Sequence, residues 1–152
     1  MGGAIAIHLA AHAPDLVERL ALVNAAGMPL GANLPTLMVR SLRSMLQPRG
    51  GSYPWAIVYD TLLKPRPWLL WQAAHQMVDS DFRAELTQIS MPTMIIWGER
   101  DLLLPLSLGH ALSAALPHAT FVTMPESGHR PPLSQPEQFS RLVLDFLGQT
   151  AY

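Results

Sequence analysis

The chain has no cysteine among its 152 residues, so disulfides and thiolate metal sites are excluded. Charge is scarce as well: 14% of residues are Asp, Glu, Lys or Arg, and the formal net charge is −1. Acids and bases are interspersed, so neither a basic stripe for nucleic acid nor an acidic tail is present. No apolar run is long and clean enough to span a bilayer. The apolar opening AIAIHLAAHA lacks the Lys or Arg that precedes a secretory core, and His8 interrupts it. Ala6 stands where a myristoylation signal needs Ser or Thr. There is no internal repeat and no low-complexity tract. The composition fits a cytoplasmic protein with no membrane and no nucleic-acid partner.

What is present is a chain rich in apolar residues (49%), long enough for one domain with a substantial core. Residues 3–13 read as a helix: Ile5, Leu9 and Ala13 recur at a spacing of four, with Ala6 and Ala10 beside them, and Pro14 ends it. The run from Arg19 to Asn24 reads as a short buried strand. From 28 to 88 the pattern turns helical, broken by the Gly- and Pro-rich QPRGGSYP and LKPRP. Alternation between strand and helix then returns. Thr93–Trp97 reads as a strand closed by Gly98, LSLGHALSAALP as a helix and Phe121–Met124 as a strand. QPEQFSRLVLDFLG is a final helix with Phe139, Leu142, Val143 and Phe146 on one face. Strands alternating with helices argue for an α/β fold: three parallel strands, right-handed crossovers and flanking helices. The chain divides into a core segment 1–27, a helical insertion 28–88 and a second core segment 89–152.

Two residues stand at positions where such a sheet does chemistry. Asp101 follows WGER and His129 lies in ESGHRPP, each in the loop after a parallel strand. Open α/β sheets bind ligands at that edge. The 28 residues between them (129 − 101) leave room for one helix and one strand, which brings the two loops side by side. A buried acid that holds one ring nitrogen of a histidine fixes its tautomer and leaves the other nitrogen as a general base. Taken singly, an Asp after a strand is a turn residue and a His is a surface residue; the order and spacing of the pair carry the signal.

Those stretches resemble the α/β-hydrolase superfamily. In PTMIIWGERDLLLP the resemblance implies that Asp101 is a triad acid; in MPESGHRPPLSQPEQF it implies that His129 is the triad base. The opening MGGAIAIHLAAHAPDLVERLALVNAAG is similar to the segment just after the nucleophile in the family's Gly-x-Ser-Met-Gly-Gly elbow. On that reading the chain begins one residue after its nucleophile, at an internal methionine, and is inactive alone. Met1 would supply an oxyanion-hole N–H. Segment 28–88 resembles the family's variable cap, with Trp55, Trp68 and Trp71 as candidate substrate-binding residues or, alternatively, as the cap's own core.

The implied activity is hydrolysis of a small, apolar, ester-like molecule, without metal or organic cofactor. The alternative is a non-catalytic truncated domain that binds or completes another chain, or self-associates through the edge of its first strand. Other candidates fall away. Ser52, Ser107 and Ser127 sit in no strand-to-helix elbow. His8 and His12 have the i, i+4 spacing of a zinc site but no intervening Glu and no third ligand. His75, His110 and His118 read as packing or surface residues, and Glu99 and Arg130 as loop contacts. Asn24 cannot be the acid that some family members carry after this strand, which favours Asp101.

Overall fold

In a computed structural model the described residues are 2–45, 67–79 and 81–148. Helix α1 (Gly2–His12) leads through a 3-10 turn (Pro14–Leu16) into strand β1 (Leu20–Val23). Next come α2 (Leu34–Met45), α3 (Pro67–Asp79) and the single turn α4 (Arg83–Leu86). The chain then forms β2 (Thr93–Gly98), α5 (Leu106–Ala115), β3 (Thr120–Met124), the short α6 (Pro131–Ser134) and α7 (Pro136–Gly148).

The three strands form one parallel sheet in the order β1-β2-β3, with Leu20 opposite Thr93 and Met94 opposite Thr120. The central strand β2, TMIIWG, is buried at every position, as a strand covered on both faces must be. Its side chains alternate between two cores. Ile95 and Trp97 join Ile7, Leu20, Leu22, Leu86 and Leu112 beneath α1, α4 and α5. Met94 and Ile96 join Met124 and Phe146 on the other face, with Phe139, Leu142 and Val143 packed on from α7. The apolar face expected of the last helix is the one it buries.

Two close approaches set the layer spacing. Trp97 lies so near Gly109 of α5 that a Cβ there would sit 2.6 Å from the indole, and its Nε1 donates to the Leu104 carbonyl at 3.2 Å. Gly3 of α1 lies against Ala25, where a Cβ would come within 2.5 Å of the alanine side chain.

One expectation needs correcting. The buried stripe of α1 is Ile7, Ala10 and Ala11, while Ile5 and Leu9 are 65% and 48% exposed. Apart from His8 and His12 the helix is built of apolar residues and glycine, so a spacing of four does not single out one face. The sheet and α4 take the side that carries the small residues, because these allow close approach. Strand β1 is also shorter than the Arg19–Asn24 reading: Arg19 points away to the last helix, donating to the Phe146 carbonyl at 3.0 Å. Trp55 and Met1 lie outside the described residues.

Candidate functional site

All three strands end at one edge of the sheet, and the polar residues that terminate them meet there. After β2 the chain turns sharply: the Asp101 N–H donates to the Gly98 carbonyl at 3.2 Å. The loop after β3 is laced to this turn. Glu99 N–H donates to Met124 O at 3.1 Å, and Arg100 N–H to Ser127 O at 2.9 Å. Only glycine fits at 98, since a Cβ there would stand 2.1 Å from the Gly128 carbonyl oxygen and 2.6 Å from that of Ser127. Ser127 is fully buried and shares a short hydrogen bond with Ser134 of α6, whose hydroxyl also donates to the Arg130 carbonyl at 3.1 Å. An exposed Arg100–Glu126 ion pair spans the same two loops.

This lacing brings His129 and Asp101 together. His129 Nδ1 lies 2.8 Å from Asp101 Oδ2. The carboxylate is an acceptor, so Nδ1 is the donor of this bond and Nε2 is left outside it. The Asp101 side chain is wholly removed from solvent, whereas 27% of the His129 side chain is exposed.

A buried carboxylate is costly unless its oxygens are hydrogen-bonded. Asp101 has four donors. Oδ1 accepts the N–H groups of Leu103 (2.8 Å) and Leu104 (2.9 Å); Oδ2 accepts from His129 and from Asn24 Nδ2, the latter at 2.6 Å. The arrangement is a buried anion, oriented on both oxygens, holding an accessible imidazole in one tautomer. It can accept a proton at Nε2 and stabilise the resulting imidazolium.

Asn24 is the residue that sequence reasoning missed. Its inability to act as an acid was legible; its hydrogen bond to the Asp101 carboxylate was not. The available signal was its position: a polar residue ending an apolar strand, at the same sheet edge as Asp101 and His129.

The other candidates lie elsewhere. Trp68 and Trp71 of α3 are 50% and 57% exposed, and Trp71 tilts over His75 at 4.3 Å between ring centroids. No hydrogen bond or ring contact of the described residues joins either tryptophan to Asp101 or His129. His8 and His12 stack on each other at 4.1 Å, and His110 packs on Phe121. Among the described residues no group of three or more His, Asp or Glu side chains could hold a metal ion, and no helix is long and apolar enough to cross a membrane. A cavity of about 270 Å³ lies at the opposite edge of the sheet, lined by Thr93, His118 and Ala119, remote from the pair.

Comparison with known proteins bears on the fold and the family. Residues 1–142 match the model of the alpha/beta hydrolase family. A pimeloyl-[acyl-carrier protein] methyl ester esterase of Nitrosomonas europaea is 34% identical over 91% of this chain and 65% of its own length. A putative carbamate hydrolase, RutD, of Serratia proteamaculans is 29% identical over 99% of this chain and 64% of its own length. The chain thus spans just under two thirds of the curated relatives it matches. Among solved structures, the 2-hydroxy-6-oxo-6-phenylhexa-2,4-dienoate hydrolase BphD of a Rhodococcus species superposes with a TM-score of 0.76, covering 97% of this chain and 61% of that one at 20% identity. A parallel sheet of this order, helices on both faces and a match along nearly the whole sequence lead to one conclusion: the chain belongs to the alpha/beta hydrolase family.

Proposed function

We propose that Asp101 and His129 are the acid and base of a serine-type hydrolase acting on a small, apolar, ester-like substrate. The observation that carries this reading is the 2.8 Å contact between His129 Nδ1 and a buried carboxylate with donors on both oxygens. The names of the two relatives, a methyl ester esterase and a carbamate hydrolase, support an acyl bond to oxygen or nitrogen as the target.

On this reading His129 Nε2 takes the proton of a serine hydroxyl as its oxygen attacks the substrate carbonyl carbon. It then passes that proton to the departing alcohol or amine. Water repeats the cycle on the acyl-serine and releases the acid. Asp101 stays ionised throughout and stabilises the imidazolium. The serine comes from a Gly-x-Ser segment joined ahead of Met1, and the Met1 N–H contributes to the oxyanion hole. Segment 28–88 is the cap on this reading, and Trp68 and Trp71, exposed on α3, are its candidate substrate contacts. The chemistry uses no metal or organic cofactor, and the cysteine-free composition fits a cytoplasmic setting.

Labelling with a fluorophosphonate probe tests this. The 152-residue chain alone should not react. The protein extended by its Gly-x-Ser segment should label at that serine and lose labelling in His129→Ala. Labelling of the short chain, or its absence from the extended one, would overturn the reading.

A second reading makes the chain a binding module or a self-associating domain. The exposed Ile5 and Leu9 favour it, together with a β1 that pairs only with β2 among the described residues. A concentration-independent monomer by light scattering would remove that reading.

A further inference from the structure

We propose that Asn24 is the positioning residue of this site: its side-chain amide holds Asp101 in the orientation that keeps the proton of His129 on Nδ1. The inference deepens the hydrolase reading and rests on it for the chemistry, but its geometry stands alone. Asn24 is 5% exposed and makes three side-chain hydrogen bonds, to the end of β2, to the loop after it and to the loop after β3. Nδ2 donates to Asp101 Oδ2 at 2.6 Å and to the Gly128 carbonyl at 3.1 Å; Oδ1 accepts the Gly98 N–H at 2.9 Å.

The direction of the amide is dictated by its partners. A peptide N–H can only face the carbonyl end, and a carboxylate and a carbonyl can only face the NH2 end. One side chain therefore joins the turn that carries the acid, the acid itself and the residue before the histidine. It shares Oδ2 of Asp101 with His129, so the lone pairs of that oxygen are divided between the two donors. Rotation of the carboxylate away from the imidazole would strain the Asn24 bond as well.

The backbone supports the same role. Asn24 is the one described non-glycine residue with positive φ, +42°. Asparagine tolerates that conformation better than most residues. The turn lets β1 end on the Ile96 carbonyl, which the Asn24 N–H reaches at 3.0 Å, while the side chain folds back over the ends of β2 and β3. A short side chain with one donor and one acceptor end, compatible with a left-handed backbone, describes asparagine and little else. Aspartate has the shape but lacks the donor; glycine has the backbone but lacks the side chain.

Those two substitutions test the proposal. Asn24→Asp keeps the acceptor for Gly98 and sets a carboxylate against that of Asp101. Asn24→Gly keeps the backbone turn and removes the clamp. The tautomer of His129, read from its ring 15N shifts in alkaline buffer, is the measurement, and it requires no activity of the chain.

The original protein should hold the proton on Nδ1. Both variants should keep their thermal unfolding transition and lower the ratio of Nδ1–H to Nε2–H tautomers about tenfold, the scale of a hydrogen bond to a charged group. Folded variants whose ratio stays within about twofold of the original would overturn the proposal, because a purely structural asparagine changes stability and not the tautomer. Loss of folding in both variants would overturn it equally, since Asn24 would then serve the fold alone. In the extended, probe-reactive protein, Asn24→Asp should lower kcat with KM unchanged. A shifted tautomer without any hydrolysis in that protein would sink the hydrolase reading and leave this one standing.

Discussion

The sheet edge and the helices inserted between β1 and β2 use similar amino acids to opposite ends. At the edge, Trp97 is fully buried against Gly109, and every oxygen of the Asp101 carboxylate is engaged. Across α2 and α3, Met38, Val39, Leu42, Trp68 and Trp71 are each at least half exposed. Large apolar side chains thus build a rigid floor in one region and an apolar surface in the other. Rigidity at the edge serves orientation, because a hydrogen-bonded pair works only in a narrow range of geometries.

The sharpest way to break this comparison is to change the floor at its charged centre. If the proposed function holds, Asp101→Asn in a protein that also carries the proposed serine segment should lower kcat about 10⁴-fold while leaving thermal unfolding cooperative, because the replacement amide no longer enforces the histidine tautomer. A loss below about tenfold in a steady-state assay would mean that Asp101 is not the acid.

Packing comes next. Trp97→Ala should destabilise the chain by about 3–5 kcal/mol in chemical denaturation, whereas Trp71→Ala should cost no more than about 0.5 kcal/mol. The second variant sharpens the contrast in another way. If Trp71 meets substrate, its loss raises KM in the extended protein while stability holds. Equal destabilisation by the two substitutions would erase the distinction between floor and surface.

The smallest effect concerns Asp81, just ahead of α4. Its carboxylate is held below the ordinary value of 3.8 by hydrogen bonds from the Arg83 side chain and backbone, and the Arg83 guanidinium is correspondingly raised. A carboxyl whose folded pKa is depressed stabilises the protein above its unfolded pKa and loses that contribution as pH falls through the folded one. Asp81→Asn should therefore leave acid stability below that range unchanged and give a slight loss at neutral pH, because the pair lies at the surface. Acid titration of the unfolding midpoint checks it.

The parts legible in the sequence were those where a single physical pattern has a single solution. MIIW, a continuous apolar run bounded by Pro92 and Gly98, has no other comfortable home than a central parallel strand. The last helix, with a polar and an apolar side, could dock only one way. Asp101 and His129 were readable because strand ends converge in such a sheet. Helix α1 resisted for the opposite reason: with apolar residues on every side, its spacing left the buried face open, and the closeness of Gly3 to Ala25 decided it. Asn24 was hidden because its side-chain hydrogen bonds go to three partners 74 to 104 residues away, which no local pattern encodes. The Ser127–Ser134 bond behind the histidine loop escaped notice likewise: two serines seven residues apart look like ordinary loop residues until the short helix α6 brings them face to face.

The register of the sheet also bears on how the protein is made. Leu20 pairs with Thr93, and Arg19 reaches the carbonyl of Phe146, 127 residues further on. A ribosome adding about 5–20 residues per second leaves β1 emerged for roughly 4–15 s before β2 exists, and the clamp from Arg19 closes later still. Throughout that interval a hydrophobic strand and its neighbouring helix wait for partners not yet translated. Slowing translation within 24–92 should accordingly lengthen that interval, and capture of the nascent chain by a chaperone should rise with it.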